Sequence, residues 1–186
     1  MPSARISPDT VTFNTLISSC ARARQWQAAV SLSSSMEPAR VDKDAISYNS
    51  TISAFERGGL WQAALQLLAN MAVSRTGPDE ISYNSTISVC KVAGQWQLAV
   101  ELLSRMPAAR LRSDEISFST AIDACERAGQ WELALQLWAD LVEASIRKDA
   151  ISVSATMNAC AKAGRWRAAL HLLWAADALP DGRRGS

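Results

Sequence analysis

A single histidine, His171, serves all 186 residues. Most nucleophile–base pairs and metal sites built on imidazole are therefore out of reach. No HxE with CxxC occurs, which excludes the zinc site of nucleobase deaminases. No apolar run reaches the roughly 18 residues of a spanning helix, so no membrane partner is expected. The opening MPSARISPD lacks the apolar core of a secretion signal and shows no transit peptide. An excess of one charge is missing too: 19 Lys and Arg stand against 18 Asp and Glu, a net charge of +1. No global field draws the chain to a polyanion, and any nucleic-acid role must rest on local charge placement. At 48% hydrophobic and 20% charged residues, the composition is not that of a disordered chain. These absences predict a protein that is not an enzyme, with no cofactor, no metal and no small-molecule substrate.

What is present is a period. Trp26, Trp61, Trp96, Trp131 and Trp166 are 35 residues apart, the mark of one supersecondary unit stacked on copies of itself, as in a repeat array. The register gives units at 10–44, 45–79, 80–114 and 115–149 and a partial fifth at 150–180, with a disordered tail at 181–186. Ala29, Ala64, Ala99, Ala134 and Ala169 each follow a Trp by three residues, and Leu32, Leu67, Leu102, Leu137 and Leu172 lie three further on. Residues 4–9, ARISPD, match the unit endings ARVDKD and ARLRSD, so 1–9 reads as the end of a preceding unit and the chain as part of a longer array. Cys20, Cys90, Cys125 and Cys160 share one slot, which the second unit fills with Phe55. Packed helices lie roughly 8–10 Å apart, beyond disulfide reach, and exchange with Phe marks buried, reduced packing residues.

Within 80–114, Ile81, Ile87 and Cys90 recur at helical spacing until Ala93-Gly94 breaks the pattern. A second stripe of Trp96, Ala99, Val100, Leu103 and Met106 then runs to Pro107. Each unit is predicted to be two short antiparallel helices, A and B, joined by a tight turn at Gly59, Gly94, Gly129 or Gly164. Arg24 takes this place in the first unit and is expected to strain or reshape the turn. The small Ala lets A and B approach closely, and Trp is expected to roof the turn between them. The fold class is all-α, a right-handed α-solenoid of stacked helical hairpins.

Two exposed positions recur. Asn14, Asn49, Asn84, Ser119 and Ser154 follow the aromatic or aliphatic residue of helix A, and Asp44, Asp79, Asp114 and Asp149 end the four complete units. Each final Asp precedes the next helix A and so lies beside the Asn or Ser of its own unit. One reading is local capping, for which Asp before a helix is well suited. The other is recognition of a ligand in the groove between units by a paired amide or hydroxyl and carboxylate.

The 35-residue unit, the I-S-Y-N-S opening as at 46–50, the A-G turn, Met36, Met71 and Met106 late in helix B and the terminal Asp resemble the pentatricopeptide repeat (PPR) family over about 10–175. Tetratricopeptide repeats have a period of about 34 and a different Trp, Gly, Tyr pattern. The recurrent Trp is not the usual choice in PPR units. The resemblance implies single-stranded RNA binding, one base per unit, with the N-terminal unit toward the 5′ end. By position, the base-reading pairs would be Asn14 with Asp44, Asn49 with Asp79, Asn84 with Asp114 and Ser119 with Asp149. Ser154 would read a fifth base, although its partner position falls in the tail near Arg184. Val11, Ile46, Ile81, Ile116 and Ile151 would sandwich the bases. Work in mitochondria or plastids, in RNA processing, stability or translation, is a further implication of the resemblance.

The chemistry of the pairs agrees. An ionised Asp only accepts hydrogen bonds, which suits the ring N–H of uracil or guanine over cytosine or adenine. Asn reaches a small pyrimidine, whereas Ser leaves room for a purine. The expected core is 5′-UUUG, as the family's base code also implies. Arg22, Arg57, Lys91, Arg127 and Lys162, late in helix A, are candidate phosphate contacts; Lys91 is shifted by one because Val92 takes the slot. A solvated helix face is the alternative for these cations. A helical scaffold that binds a peptide in its concave groove is the alternative for the whole chain.

Overall fold

The computed structural model describes residues 9–144, 146, 150–168 and 170. The segment 1–8, Asp149, His171, Pro180, Arg184 and the tail 181–186 lie outside the described residues. Within them the chain forms nine α-helices and no strand: α1 (Thr10–Arg22), α2 (Trp26–Ser35), α3 (Ala45–Glu56), α4 (Trp61–Val73), α5 (Glu80–Val92), α6 (Trp96–Arg105), α7 (Glu115–Arg127), α8 (Trp131–Glu143) and α9 (Ala150–Lys162). Residues 166–168 are helical as well. Odd-numbered helices are the A helices and even-numbered ones the B helices of the predicted hairpins.

Why each hairpin closes is visible in which residues lose contact with water. Ile17, Ile52, Ile87 and Ile122 on helix A, and Met36, Met71, Met106 and Leu141 at the end of helix B, are fully buried. Each such side chain contributes about 1.5–3 kcal/mol of burial. Ala29, Ala64, Ala99 and Ala134 are also sealed. A larger side chain there would overpack the crossing by about 1–3 kcal/mol. The cysteine slot is core as expected: Cys90, Cys125 and Cys160 are buried, as is Phe55, while Cys20 is half-buried, and all four cysteines are free. Burial pushes the Cys90 and Cys125 thiols up to about 11, so both stay protonated.

Successive A helices lie directly on one another, α1 on α3, α3 on α5, α5 on α7 and α7 on α9. Each B helix packs on its own A helix and on the A helix of the following unit, and successive B helices stand further apart than successive A helices. Close A–A spacing with B helices standing apart bends the stack, placing the A helices on the inner face of a right-handed solenoid.

The A-to-B turns share one geometry. In each, the N–H of the residue just before Trp donates to a carbonyl five residues back: Gln25 to Cys20, Leu60 to Phe55, Gln95 to Cys90, Gln130 to Cys125 and Arg165 to Cys160, at 2.8–3.2 Å. Such a helix ending needs one left-handed residue. Gly59, Gly94, Gly129 and Gly164 take φ of 61° to 72°, and Arg24 sits at 61° in the same place. Arg24 thus leaves the turn unreshaped and holds a backbone conformation unfavourable for a residue with a Cβ. The Trp that follows does more than cover its own turn. A Cβ at Gly58 would lie 3.3 Å from Trp26 Cδ1 and Nε1. The Arg165 guanidinium lies 5.1 Å from the centre of the Trp131 ring. Both indoles therefore reach the turn of the following unit.

Replacing Arg24 by Gly should stabilise the chain by about 0.5–1 kcal/mol, the left-handed penalty less the extra freedom of unfolded glycine. Gly94→Ala should destabilise by a similar amount, although nothing lies within 4 Å of the Cβ it would add. Urea unfolding followed by circular dichroism measures both; equal midpoints for parent and Arg24→Gly would mean the turn is unstrained.

Candidate nucleic-acid interface

Every described junction between units is organised by an aspartate. Asp9, Asp44, Asp79 and Asp114 are extended N-cap residues whose Oδ1 accepts the backbone N–H of the third residue of the next helix, Thr12, Ser47, Ser82 or Ser117, at 2.7–2.8 Å. In three of them the hydroxyl of that third residue accepts the Asp N–H in return, at 3.3, 3.1 and 3.2 Å for Ser47, Ser82 and Ser117. A cap of this kind is worth about 1 kcal/mol.

The carboxylates do more than cap. Asn14 Nδ2 donates to Asp44 Oδ1 at 3.0 Å and lies 3.2 Å from Oδ2. Asn49 repeats this with Asp79 at 3.1 and 3.3 Å, and Asn84 meets Asp114 Oδ1 at 3.2 Å. The expected pairs are therefore in contact in the first three units, and capping and pairing are functions of one carboxylate. Burial would raise each of these three carboxyls, but bonds from the Ser N–H and the Asn amide, with the Ser hydroxyl close by, outweigh it. Asp44, Asp79 and Asp114 all lie below the ordinary value of 3.8. They are ionised at neutral pH, acceptors only.

The fourth and fifth units differ. Ser119 Oγ donates to the Ile116 carbonyl at 3.2 Å and Ser154 Oγ to the Ile151 carbonyl at 3.0 Å. Asp149, the predicted partner of Ser119, lies outside the described residues.

One helical turn before each polar residue an aliphatic side chain stands in solvent: Val11 at 70% exposure, Ile46 at 59%, Ile81 at 61%, Ile116 at 60% and Ile151 at 63%. Large β-branched residues exposed at every unit contribute nothing to the core, and their spacing places one beside each junction.

The cations divide along the chain. Arg22 and Arg57 are exposed and form no ion pair among the described residues. Lys91 Nζ lies 3.4 Å from Asp123 Oδ2, Arg127 Nε donates to Asp123 Oδ1 at 3.1 Å, and Lys162 Nζ meets Glu126 Oε1 at 2.5 Å. Surface pairs are worth about 0–1 kcal/mol; Arg127 and Lys162 stand open at 58% and 64% exposure, whereas Lys91 and Asp123 are part-buried at 19% and 26%.

Sequence reasoning overlooked the third-position hydroxyls and the acids beside the cations. The first had a signal, because Thr12, Ser47, Ser82, Ser117 and Ser152 recur without exception and D-x-x-S spells a capping box. The second had little: the slot of Asp123 holds Ser18, Ser53 and Ser88 in the units before it, and the slot of Glu126 elsewhere holds an acid only at Glu56.

Stacked hairpins with this junction define a helical-repeat protein, and comparison with known families narrows the class. A model of the PPR repeat family matches residues 8–55, and a model of the PPR repeat matches 46–75, 81–111, 116–146 and 151–174. The chain belongs to the PPR repeat family. Among solved structures it is similar to the pentatricopeptide repeat protein PPR10 from maize, with TM-score 0.79 and 22% identity over 92% of this chain and 24% of that one. PPR10 has also been solved in complex with an 18-nt psaJ RNA element. The PPR domain of Arabidopsis thaliana protein-only RNase P 1, solved in complex with tRNA, matches with TM-score 0.72 and 14% identity over 93% of each chain. The present chain thus spans about a quarter of the length of PPR10, and at these identities the likeness is one of fold. Comparison with curated protein sequences gives no match.

The depressed carboxyls predict an acid transition. A group with a lowered folded pKa adds stability above its unfolded value, and that stability is lost as pH falls through the folded value. Melting temperature should be level between about pH 7 and pH 5 and drop below about pH 4. Asp79→Asn removes one titrating cap and should make the drop shallower; thermal melts by circular dichroism across this range check both.

Proposed function

We propose that this chain binds single-stranded RNA, one base per unit, reading it with Asn14 and Asp44, Asn49 and Asp79, Asn84 and Asp114, and Ser119 and Asp149. One observation carries the reading: at three successive junctions an amide and an ionised carboxylate are hydrogen-bonded side by side, with an exposed aliphatic one turn away. Oδ1 of each Asp is committed to the helix cap. Oδ2 receives at most a long contact from Asn and remains open to a ring N–H. Uracil and guanine offer that N–H, whereas cytosine and adenine present a lone pair there. The Asn amide reaches a pyrimidine, and Ser119 leaves space for a purine, so the preferred core is 5′-UUUG.

Val11, Ile46, Ile81, Ile116 and Ile151 hold the bases between them. Arg22 and Arg57 meet phosphates directly, while Lys91, Arg127 and Lys162 do so by leaving Asp123 and Glu126. Site of action in mitochondria or plastids, in RNA processing, stability or translation, accords with the family.

Each phosphate contact on a single strand contributes about −0.7 to the log–log salt slope. The two unpaired arginines alone give about −1.4, and all five cations about −3.5. A slope between these values is expected, with affinity micromolar or weaker for so few bases. Oligonucleotides ending 5′-UUUG should bind better than 5′-UUUA and 5′-CCCG. Asp149→Asn should move the last preference from G toward A, since an amide can donate to a ring nitrogen. An unchanged order at that base would reduce Ser119 and Asp149 to a helix cap; binding to peptides without any to RNA would favour the scaffold reading.

A further inference from the structure

Between the amide and the carboxylate at each Asn junction stands a third side chain that comes from the neighbouring unit. Ser47 Oγ lies 2.6 Å from Asn14 Oδ1, Ser82 Oγ 2.8 Å from Asn49 Oδ1 and Ser117 Oγ 2.7 Å from Asn84 Oδ1. These serines are completely buried. The same hydroxyls lie 2.9, 2.6 and 2.8 Å from Oδ1 of Asp44, Asp79 and Asp114. A hydroxyl has one proton to give. Oδ1 of each Asp already accepts the Ser N–H and the Asn amide, whereas the Asn Oδ1 has no other donor among the described residues. The proton therefore belongs to the Asn oxygen.

We propose that Ser47, Ser82 and Ser117 are positioning residues that set the base specificity of the unit before their own, an inference that rests on the base-reading function above. An Asn amide can turn either end to a ligand. Here the carboxylate takes one N–H and the serine takes the oxygen, which leaves the second N–H as the only unspent group of the amide. Beside it stands Oδ2 of the Asp. The junction thus offers one donor and one acceptor in fixed order. Uracil matches it, with a carbonyl oxygen for the amide and a ring N–H for the carboxylate. Cytosine opposes it twice, with an exocyclic amine facing the amide and a ring lone pair facing the carboxylate. Without the hydroxyl the Asn oxygen is left buried and unpaired. The amide then reorients to find a donor, and the N–H that favours uracil is no longer held in place.

The bridge is a property of Asn junctions. At the fourth unit the Ser119 hydroxyl turns back to its own helix, to the Ile116 carbonyl.

The test uses the whole chain and oligonucleotides that carry U or C at one position of the bound core. Ser82→Ala should lower the U-over-C preference at the second base by about fivefold, the net weight of one hydrogen bond. The first and third bases should keep their preferences. Ser82→Thr, which retains the hydroxyl and copies Thr12, should keep the parent ratio. Ser117→Ala should shift the third base alone, and serves if Ser82→Ala folds poorly. Asp79→Asn is the control for the underlying reading. If it leaves the second base unchanged, the base-reading function fails and this inference with it. If Asp79→Asn changes the order while Ser82→Ala weakens U and C equally, the serine is a helix cap only and the inference is overturned.

Discussion

The terminal aspartate of each unit is the interaction on which the array depends. A short helix leaves its first N–H groups unsatisfied, and in a solenoid every A helix begins in the crowded space where two units meet. One carboxylate answers this need and, in the same place, accepts the amide of the preceding helix A. Register between units is thereby set by hydrogen bonds as well as by apolar packing. Displacing a unit by one residue would break the cap, the amide contact and the serine bridge together. Cooperation of this kind explains how a polar cluster persists at the inner face without weakening the stack: nearly every lone pair and proton within it has a partner.

The curvature follows from where bulk is placed. Successive A helices lie close together, whereas successive B helices stand further apart. The sealed alanines bring A and B close, and Trp26 and Trp131 fill the wider side by reaching the next turn. At Trp26 and Trp131 the indole supplies an inter-unit contact that a smaller residue there would not. Trp26, Trp61, Trp96 and Trp131 are half-buried in the packing of the stack, whereas Trp166 is exposed, and the Arg165–Trp131 contact shows a charged turn residue using the ring face.

Much of this was legible in the residues, because a period converts each position into several observations. Units, hairpins, glycine turns, the buried cysteine slot and the Asn–Asp pairs all follow from recurrence at 35 residues. Three features were not. The tryptophan's reach to the next turn depends on the rotation between units, which no periodicity reveals. Arg24 breaks the pattern of glycines, yet the hydrogen bond from Gln25 to Cys20 holds the turn in the form glycine adopts. The partners of Lys91, Arg127 and Lys162 stand on neighbouring helices or a turn away, in slots that hold serine or other residues elsewhere, so recurrence was silent about them.

Those ion pairs bear on how the inner face weighs affinity against selectivity. Attraction to phosphate is indifferent to sequence, and a strongly basic groove holds any polyanion. Asp123 and Glu126 offset that attraction in the C-terminal half while leaving Arg22 and Arg57 free in the N-terminal half. The near-neutral net charge of +1 is thus reproduced locally. In the proposed function a strand gains little from its backbone alone, least of all over the third to fifth units. Discrimination then falls to the amide, carboxylate and serine at each of the three Asn junctions, whose geometry is fixed before any base arrives. A mismatched base meets a donor facing a donor or an acceptor facing a lone pair, with few nonspecific contacts to offset the loss. Longer arrays built on the same plan would add affinity by adding units, each contributing its own test of the sequence.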